Sequence, residues 1–263
     1  MWPVDPRCST RSSGRPPARR HRRRFVCFGA CHGGSGLAYR FGTAKQLRTT
    51  PILALDTASP SPAVTVLLGS HAFDEMLPSD GRASERLLTA IESCFGAAGV
   101  PLSECARIAV CAGPGSFTGV RVGLATAWGL GRALGCPVEA VSTLEAMAEA
   151  ARAPGRVRVA AALDAGRGEI IWQAFDLSGT RAAALAPPAR ARREDAPAAW
   201  GTMAFTTLPL DLLGPTASGP GSTRPLSSAL ASAVARAPSD RPAATLQALY
   251  SRPSAAEEKR GAP

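Results

Sequence analysis

The sequence predicts an α/β protein of two lobes behind a basic N-terminal extension, on three observations. Apolar runs at 52–55, 63–68 and 72–77 are separated by Ser-Pro and Gly-Ser turn chemistry, as in an antiparallel meander. Helical apolar spacing then alternates with single apolar runs, the signature of strands joined by crossover helices. Two more strand-like runs, 157–164 and 169–175, open a second sheet.

In order, Leu87, Leu88, Ile91, Cys94, Phe95 and Ala98 fall on one face of a helix. Ser84 is its expected cap, Glu85 lies in its first turn, and Gly99 and Pro101 end it. A strand over 107–112 leads into a glycine-rich loop and a helix from about 118 to 134. A strand over 137–141 and a helix over 143–152 follow. Beyond Asp176 the chain is rich in Ala, Pro and Arg, and only short helices over 226–234 and 243–249 are expected. Three strands, helix, strand, helix, strand, helix is the order of a ribonuclease-H-like lobe, as found in the sugar kinase, Hsp70 and actin superfamily. The expected division is a disordered extension at 1–50, an N-terminal lobe at 51–152 and a smaller, degenerate C-terminal lobe at 153–263, sizes adequate for two small cores.

Charge divides the chain in the same way. Residues 1–51 carry ten Arg, Lys45 and one acid, Asp5, so they hold the whole net charge of +10, and the remainder is balanced. A basic protein ordinarily invites nucleic acid, but the part expected to fold has no basic excess, which argues against direct nucleic-acid binding by it. The extension has too little periodic apolar content to offset the entropy of ordering. Its Arg-rich, acid-poor balance fits an organellar presequence, and it fits equally a start codon assigned too far upstream. A secretory signal fits less well, because its apolar stretch is short and contains a glycine.

The seven cysteines show no repeated C-x-x-C spacing, which excludes a disulfide framework or zinc site. Cys94, Cys111 and Cys136 read as small core residues. No window approaches the length of apolar sequence that crosses a membrane.

The most specific segment is A-G-P-G-S-F-T-G-V-R-V-G, from Ala112 to Gly123. Gly113, Gly115 and Gly119 suit either an anion at a helix N-terminus or a closely approaching backbone. Their spacing is not that of a dinucleotide fold, and no G-K-[ST] is present for a P-loop. Ser116 lacks the G-x-S-x-G context and the nearby His of a hydrolase nucleophile; Ser116 and Thr118 are expected instead to cap the next helix. In that helix Gly119, Gly123, Ala127 and Gly131 form a strip of small residues, with Val120, Leu124 and Trp128 on another side. Such a strip either seats a helix on its own sheet or lets a partner helix approach.

Taken together, I-L-A-L-D-T-A-S at 52–59, the glycine-rich loop, V-S-T-L-E at 141–145 and L-D-A-G-R-G-E-I at 163–170 closely resemble the TsaB family over about residues 51–176. Near the end, Leu249, Tyr250, Ser251 and Arg252 resemble the family's Y-L-R, with Ser251 where the family has Leu. Gly166 stands where the family usually has Arg, and Ala83 where it often has His. The resemblance implies a non-catalytic subunit that heterodimerises with the transferase TsaD for threonylcarbamoylation of adenosine 37 in tRNA. It also implies that the ATPase TsaE docks on that pair, that tRNA is met only through the complex, and that the setting is the cytoplasm. Partner-interface residues implied are Leu88, Ile91, Phe95, Gly119, Val120, Gly123, Leu124 and Ala127, because the family pairs through its two N-terminal helices; on the second of these either the small-residue strip or the apolar side beside it would be the surface.

TsaD holds a metal through a pair of His one helical turn apart; here His71 is the single His outside the extension, so no metal site, catalytic residue or cofactor is expected. Asp56, Thr57 and Asp164 stand where ATP-binding relatives place metal- and phosphate-contacting groups. They either face a nucleotide across the interlobe cleft or cap their own turns. The second reading weighs more, because the D-x-G pattern of true ATPases is missing. A metallopeptidase-like or kinase-like enzyme of the same superfamily is the alternative function.

Overall fold

Strand β1 (Ile52–Asp56) lies at the centre of a five-stranded sheet of order β3-β2-β1-β4-β5, in a computed structural model that describes residues 50–80, 82–196, 200–201, 203–209, 212 and 225–236. β2 (Ala63–Leu68) and β3 (His71–Met76) complete the antiparallel meander in the register Leu55↔Val64 and Leu68↔His71. β4 (Arg107–Cys111) and β5 (Val138–Val141) add in parallel. Every residue of β1 is buried, as a strand covered on both faces requires.

Alternation along β1 assigns the two layers. Leu53 and Leu55 pack with Leu87, Ile91 and Phe95 of α1 (Ala83–Ala98) and Ala127 of α2 (Phe117–Leu134). Ile52 and Ala54 pack with Ala146 of α3 (Thr143–Ala150) and with Leu230, Ala231 and Val234 of α4 (Leu226–Arg236). Gly99 ends α1 in the left-handed conformation at φ 69°, where the Val100 N–H reaches Phe95 O at 3.2 Å. The expected cap of α1 is corrected: Arg82 precedes the helix without a side-chain cap bond, and Ser84 lies inside its first turn. Leu88 also leaves the core face and is 59% exposed.

The second sheet has the order β10-β6-β7-β8, with β9 also paired to β7. The hairpin of β6 (Arg158–Gly166) and β7 (Glu169–Asp176) is the pair expected from sequence. β8 (Ala183–Ala184) and β9 (Ala189–Arg192) lie in the Ala/Arg-rich stretch and β10 (Ala204–Leu208) just beyond it, and none of the three is expected from sequence. The described residues thus form two β-sheets with helices packed on them, the mixed α/β class expected from sequence.

The expected division at 152 needs one correction. α4 follows the second sheet in sequence but lies on the first: Arg107 donates to Val234 O at 3.0 Å, and the Ser227 and Thr65 hydroxyls meet at 2.7 Å. Its apolar spacing announces a buried face but not the sheet that buries it. Glu149 of α3, its side chain fully buried, joins α4 to the second lobe. It accepts from Arg152 Nε at 2.9 Å, from Arg236, and from the Ala182 N–H. Burial pushes the Cys94 and Cys105 thiols up to about 12 and about 11 and raises Cys111 well above the ordinary thiol range, consistent with core roles. No helix among the described residues is long and apolar enough to cross a membrane. The expectations for residues 1–49, for a helix over 243–249 and for Leu249, Tyr250, Ser251 and Arg252 lie outside the described residues.

Candidate functional site

The glycine-rich loop runs from the end of β4 to the start of α2 and is held by backbone on both sides. Ser116 N–H donates to Ala58 O, and Thr143 N–H to Gly113 O, each at 2.8 Å. A Cβ on Gly115 would stand 2.1 Å from Ala58 O, and one on Gly119 would stand 1.8 Å from Thr57 O. Of the two uses open to these glycines, the structure adopts close approach of backbone to backbone. Ser116 caps α2 by accepting from Gly119 N–H at 3.2 Å, whereas Thr118, also expected to cap, lies within the first turn.

Beside this loop an interlobe cleft of about 250 Å³ is lined by Thr57, Ser59, Ser116, Thr118, Leu163 and Asp164, among others. Asp56 is not in the lining. Its Oδ1 accepts from the Ala58 and Ser59 N–H groups at 3.0 Å each, and its Oδ2 from Ser59 Oγ at 2.5 Å. Burial pushes this carboxyl above its ordinary range, against the lowering effect of those hydrogen bonds. Thr57 Oγ1 donates to Gly119 O at 2.6 Å. Asp164 faces the cleft, accepts from Gly166 N–H at 2.8 Å and pairs with Arg193 at 3.3 Å. Of the two readings, the bonds of Asp56 are those of a residue that caps its own turn, and the Thr57 hydroxyl braces the start of α2. A magnesium nucleotide does not fit this donor set, because no Lys or Arg is among the described lining residues and the Asp56 oxygens are already occupied. Among the described residues no group of three or more His, Cys, Asp or Glu is placed to hold a metal ion.

The expected partner interface needs a larger correction. The strip of small residues on α2 faces the sheet: a Cβ on Gly123 would stand 2.4 Å from Thr57 Oγ1, and one on Gly131 2.3 Å from Val138 Cγ2. Gly123, Ala127 and Val120 are buried, Gly119 is pressed against the end of β1, and Ile91 and Phe95 belong to the core of the first lobe. Leu124 is half-buried against both cores. Helical periodicity marks a face for burial without naming what buries it, and here the sheet does. The outer side of the α1/α2 layer keeps Leu88 and adds Trp128, which is 58% exposed. Around them lie Glu92 and Gly96 on α1 and Ala125 and Gly129 on α2, all exposed. Trp128 belongs to the apolar side of α2 that the sequence offered beside the strip, although it was not among the interface residues named from it.

The family described as "TsaD: tRNA N6-adenosine threonylcarbamoyltransferase" matches residues 80–196. The chain is 37% identical over 127 residues to the tRNA threonylcarbamoyladenosine biosynthesis protein TsaB of Escherichia coli K12, a match covering 47% of this chain and 54% of that protein. The corresponding protein of Haemophilus influenzae is 34% identical over 127 residues, covering 48% and 54%. The match thus spans about half the length of these curated relatives. Among solved structures, YeaZ from Pseudomonas aeruginosa aligns with a TM-score of 0.50 at 36% identity, covering 55% of this chain and 68% of that one. A protein with similarity to peptidase YeaZ from Pseudomonas aeruginosa aligns with a TM-score of 0.54 at 31% identity, covering 63% and 80%. With a sequence match at this level, a shared fold and the ordered motifs from β1 to β7, the chain belongs to the TsaB/YeaZ family.

Proposed function

We propose that the chain takes part in threonylcarbamoyladenosine formation on tRNA as a non-catalytic subunit that pairs with a TsaD-type transferase. The observation that carries this reading is the contrast between two places in the first lobe. At the cleft, the Asp56 carboxylate lies outside the lining and accepts from its own turn, and the Thr57 hydroxyl gives its proton to Gly119 O, bonds that brace the fold rather than present a nucleotide site. On the outer side of the α1/α2 layer, Leu88 and Trp128 present apolar surface to solvent, and an aromatic beside an aliphatic anchor with small neighbours is what a helix-pairing interface uses.

In this reading the transferase moves the threonylcarbamoyl group to adenosine 37, a TsaE-type ATPase docks on the heterodimer, and tRNA meets the complex rather than this chain alone, in the cytoplasm. The balanced charge of residues 52–263 agrees with an indirect role towards RNA. Reconstitution tests it: the purified chain alone should modify no tRNA, and addition of TsaD, TsaE and the adenylate-producing enzyme should restore modification that those three lack without it. Threonylcarbamoyl transfer or peptidase turnover by the isolated chain, or full activity of the other three in its absence, would overturn the proposal.

A further inference from the structure

Two of the described thiols meet at one end of the first sheet, and the function proposed above uses neither. Cys105 follows a short 3-10 turn (Leu102–Glu104) and stands two residues before β4, while Cys136 follows the C-cap of α2 and stands two residues before β5. β4 and β5 are parallel neighbours in the register Ile108↔Val138, and just ahead of that pair the Ile108 N–H donates to Pro137 O at 3.0 Å. The same register brings Cys136 level with Ala106, one residue from Cys105. Neighbouring strands run about 4.8 Å apart, within the roughly 4.4–6.8 Å that separates the Cα atoms of a disulfide. The two side chains are hydrogen bonded to each other, and the Cys105 thiol also reaches Arg107 O at 3.3 Å. Cys94 and Cys111 are placed differently: Cys94 donates to Val64 O at 3.8 Å, and Cys111 lies beside Asp56 and Thr143.

Exposure divides the roles within the pair. Cys105 is buried, whereas Cys136 is half-buried and reachable from solvent. Burial raises both thiols, but the hydrogen bond from Cys105 acts to lower Cys136. Cys136 is thus the thiol that a small oxidant meets, and its ionised form has a donor beside it.

We propose that Cys105 and Cys136 form a reversible disulfide in response to peroxide, with Cys136 oxidised first and Cys105 resolving it. The Cys136 thiolate attacks one oxygen of hydrogen peroxide; the S–O bond forms, the O–O bond breaks, and the departing hydroxide takes up a proton as water. The Cys105 sulfur then attacks the Cys136 sulfur. The S–S bond forms, the S–O bond breaks, and the hydroxyl leaves with the Cys105 proton as a second water. Two thiols lose two electrons and one peroxide gains them, and a dithiol reductant reverses the bond by exchange. The bond closes a ring over residues 105–136, which contains β4, the glycine-rich loop and α2. A cross-link across a loop of this length restricts the unfolded chain, so the oxidised form is the more stable one.

The test treats the full, folded chain with hydrogen peroxide, blocks the remaining thiols and maps it without reduction by mass spectrometry. Trypsin with a glutamyl endopeptidase separates Cys94 from Cys105 at Glu104. A peptide pair joined through Cys105 and Cys136 is expected, and dithiothreitol should release it. The oxidised chain should also melt several degrees above the reduced one. In Cys105→Ala the resolving thiol is gone, so labelling of Cys136 by dimedone, which traps sulfenic acid, should rise at least tenfold. Both thiols still free after the treatment, Cys136 carried on to sulfinic acid while Cys105 stays reduced, or either one joined instead to Cys8, Cys27, Cys31 or a second copy of the chain would overturn the proposal.

Discussion

The Thr57 hydroxyl donates to the carbonyl oxygen of Gly119 across 2.6 Å, and a Cβ on Gly119 would stand 1.8 Å from the Thr57 carbonyl oxygen. The first turn of α2 is thereby fastened to the end of β1. A phosphate drawn to the N-terminus of α2 would have to compete with this contact, since the backbone of 57–58 already occupies the close approach that the glycines permit.

Substitutions on the strip of α2 should therefore act on stability. Gly119→Ala places a methyl group against backbone that cannot rotate away, and Gly123→Leu drives side chain into Thr57 and Val110. Overpacking of this kind costs about 1–3 kcal/mol or more, so the melting temperature should fall by several degrees. The affinity of the remaining folded molecules for TsaD should stay near that of the unaltered chain. Thermal unfolding beside titration separates the two effects, and an unchanged melting curve with weakened binding would return the strip to the interface.

Leu88→Asp and Trp128→Asp should behave in the opposite way. Both side chains are more than half exposed, so the isolated fold should keep its melting temperature within a degree or two. Removing apolar anchors from a docking face should raise the dissociation constant for TsaD about tenfold or more. Calorimetric titration of each variant measures it, and wild-type affinity in both would exclude this face.

Glu149→Ala should be among the more damaging single changes. The carboxylate is fully buried and is shared by Arg152, Arg236 and the Ala182 N–H. Removing one partner from a buried charged cluster costs of order 3 kcal/mol. Arg236→Met should cost less, because its guanidinium side chain is 38% exposed and can be hydrated. Urea unfolding gives both values, and an equal or reversed order would contradict the placement of Glu149 as the shared centre.

Asp56 gives a pH dependence with a definite sign. Burial raises its folded pKa above the unfolded value of 3.8, so the folded state holds this proton more tightly. The stability that follows is fully present below 3.8 and is lost as the pH climbs from there through the folded pKa. Asp56→Asn has no proton to lose, so its stability relative to the unaltered chain should rise with pH across that window and then level off. Urea unfolding of both proteins over a pH series tests this, and a relative stability that falls with pH would show the carboxylate to be stabilised by folding.

Much of the framework was legible because local chemistry wrote it. Apolar runs bounded by turn residues and helical spacing located β1 to β7 and α1 to α3 to within a few residues, and Gly99 marked the end of α1 as a left-handed C-cap. The ordered motifs, read as a family resemblance, pointed to the same fold that the sheets display. What the sequence left open were choices between neighbours. The strip through Gly123 and Ala127 suits a partner helix as well as a sheet, and only the distances from Gly123 to Thr57 and Val110 decide for the sheet. Asp56 suits a metal or its own turn, and the bonds from Ala58 and Ser59 decide for the turn. β8 and β9 escaped notice because short Ala- and Arg-rich strands carry no period, β10 is a single short run without turn signals of its own, and α4 could not be assigned to the first sheet because its contacts with Thr65 and Arg107 join residues far apart in the chain. Spacing along a chain determines which faces will be buried; the packing of distant segments determines against what, because that free energy exists only once the chain has folded.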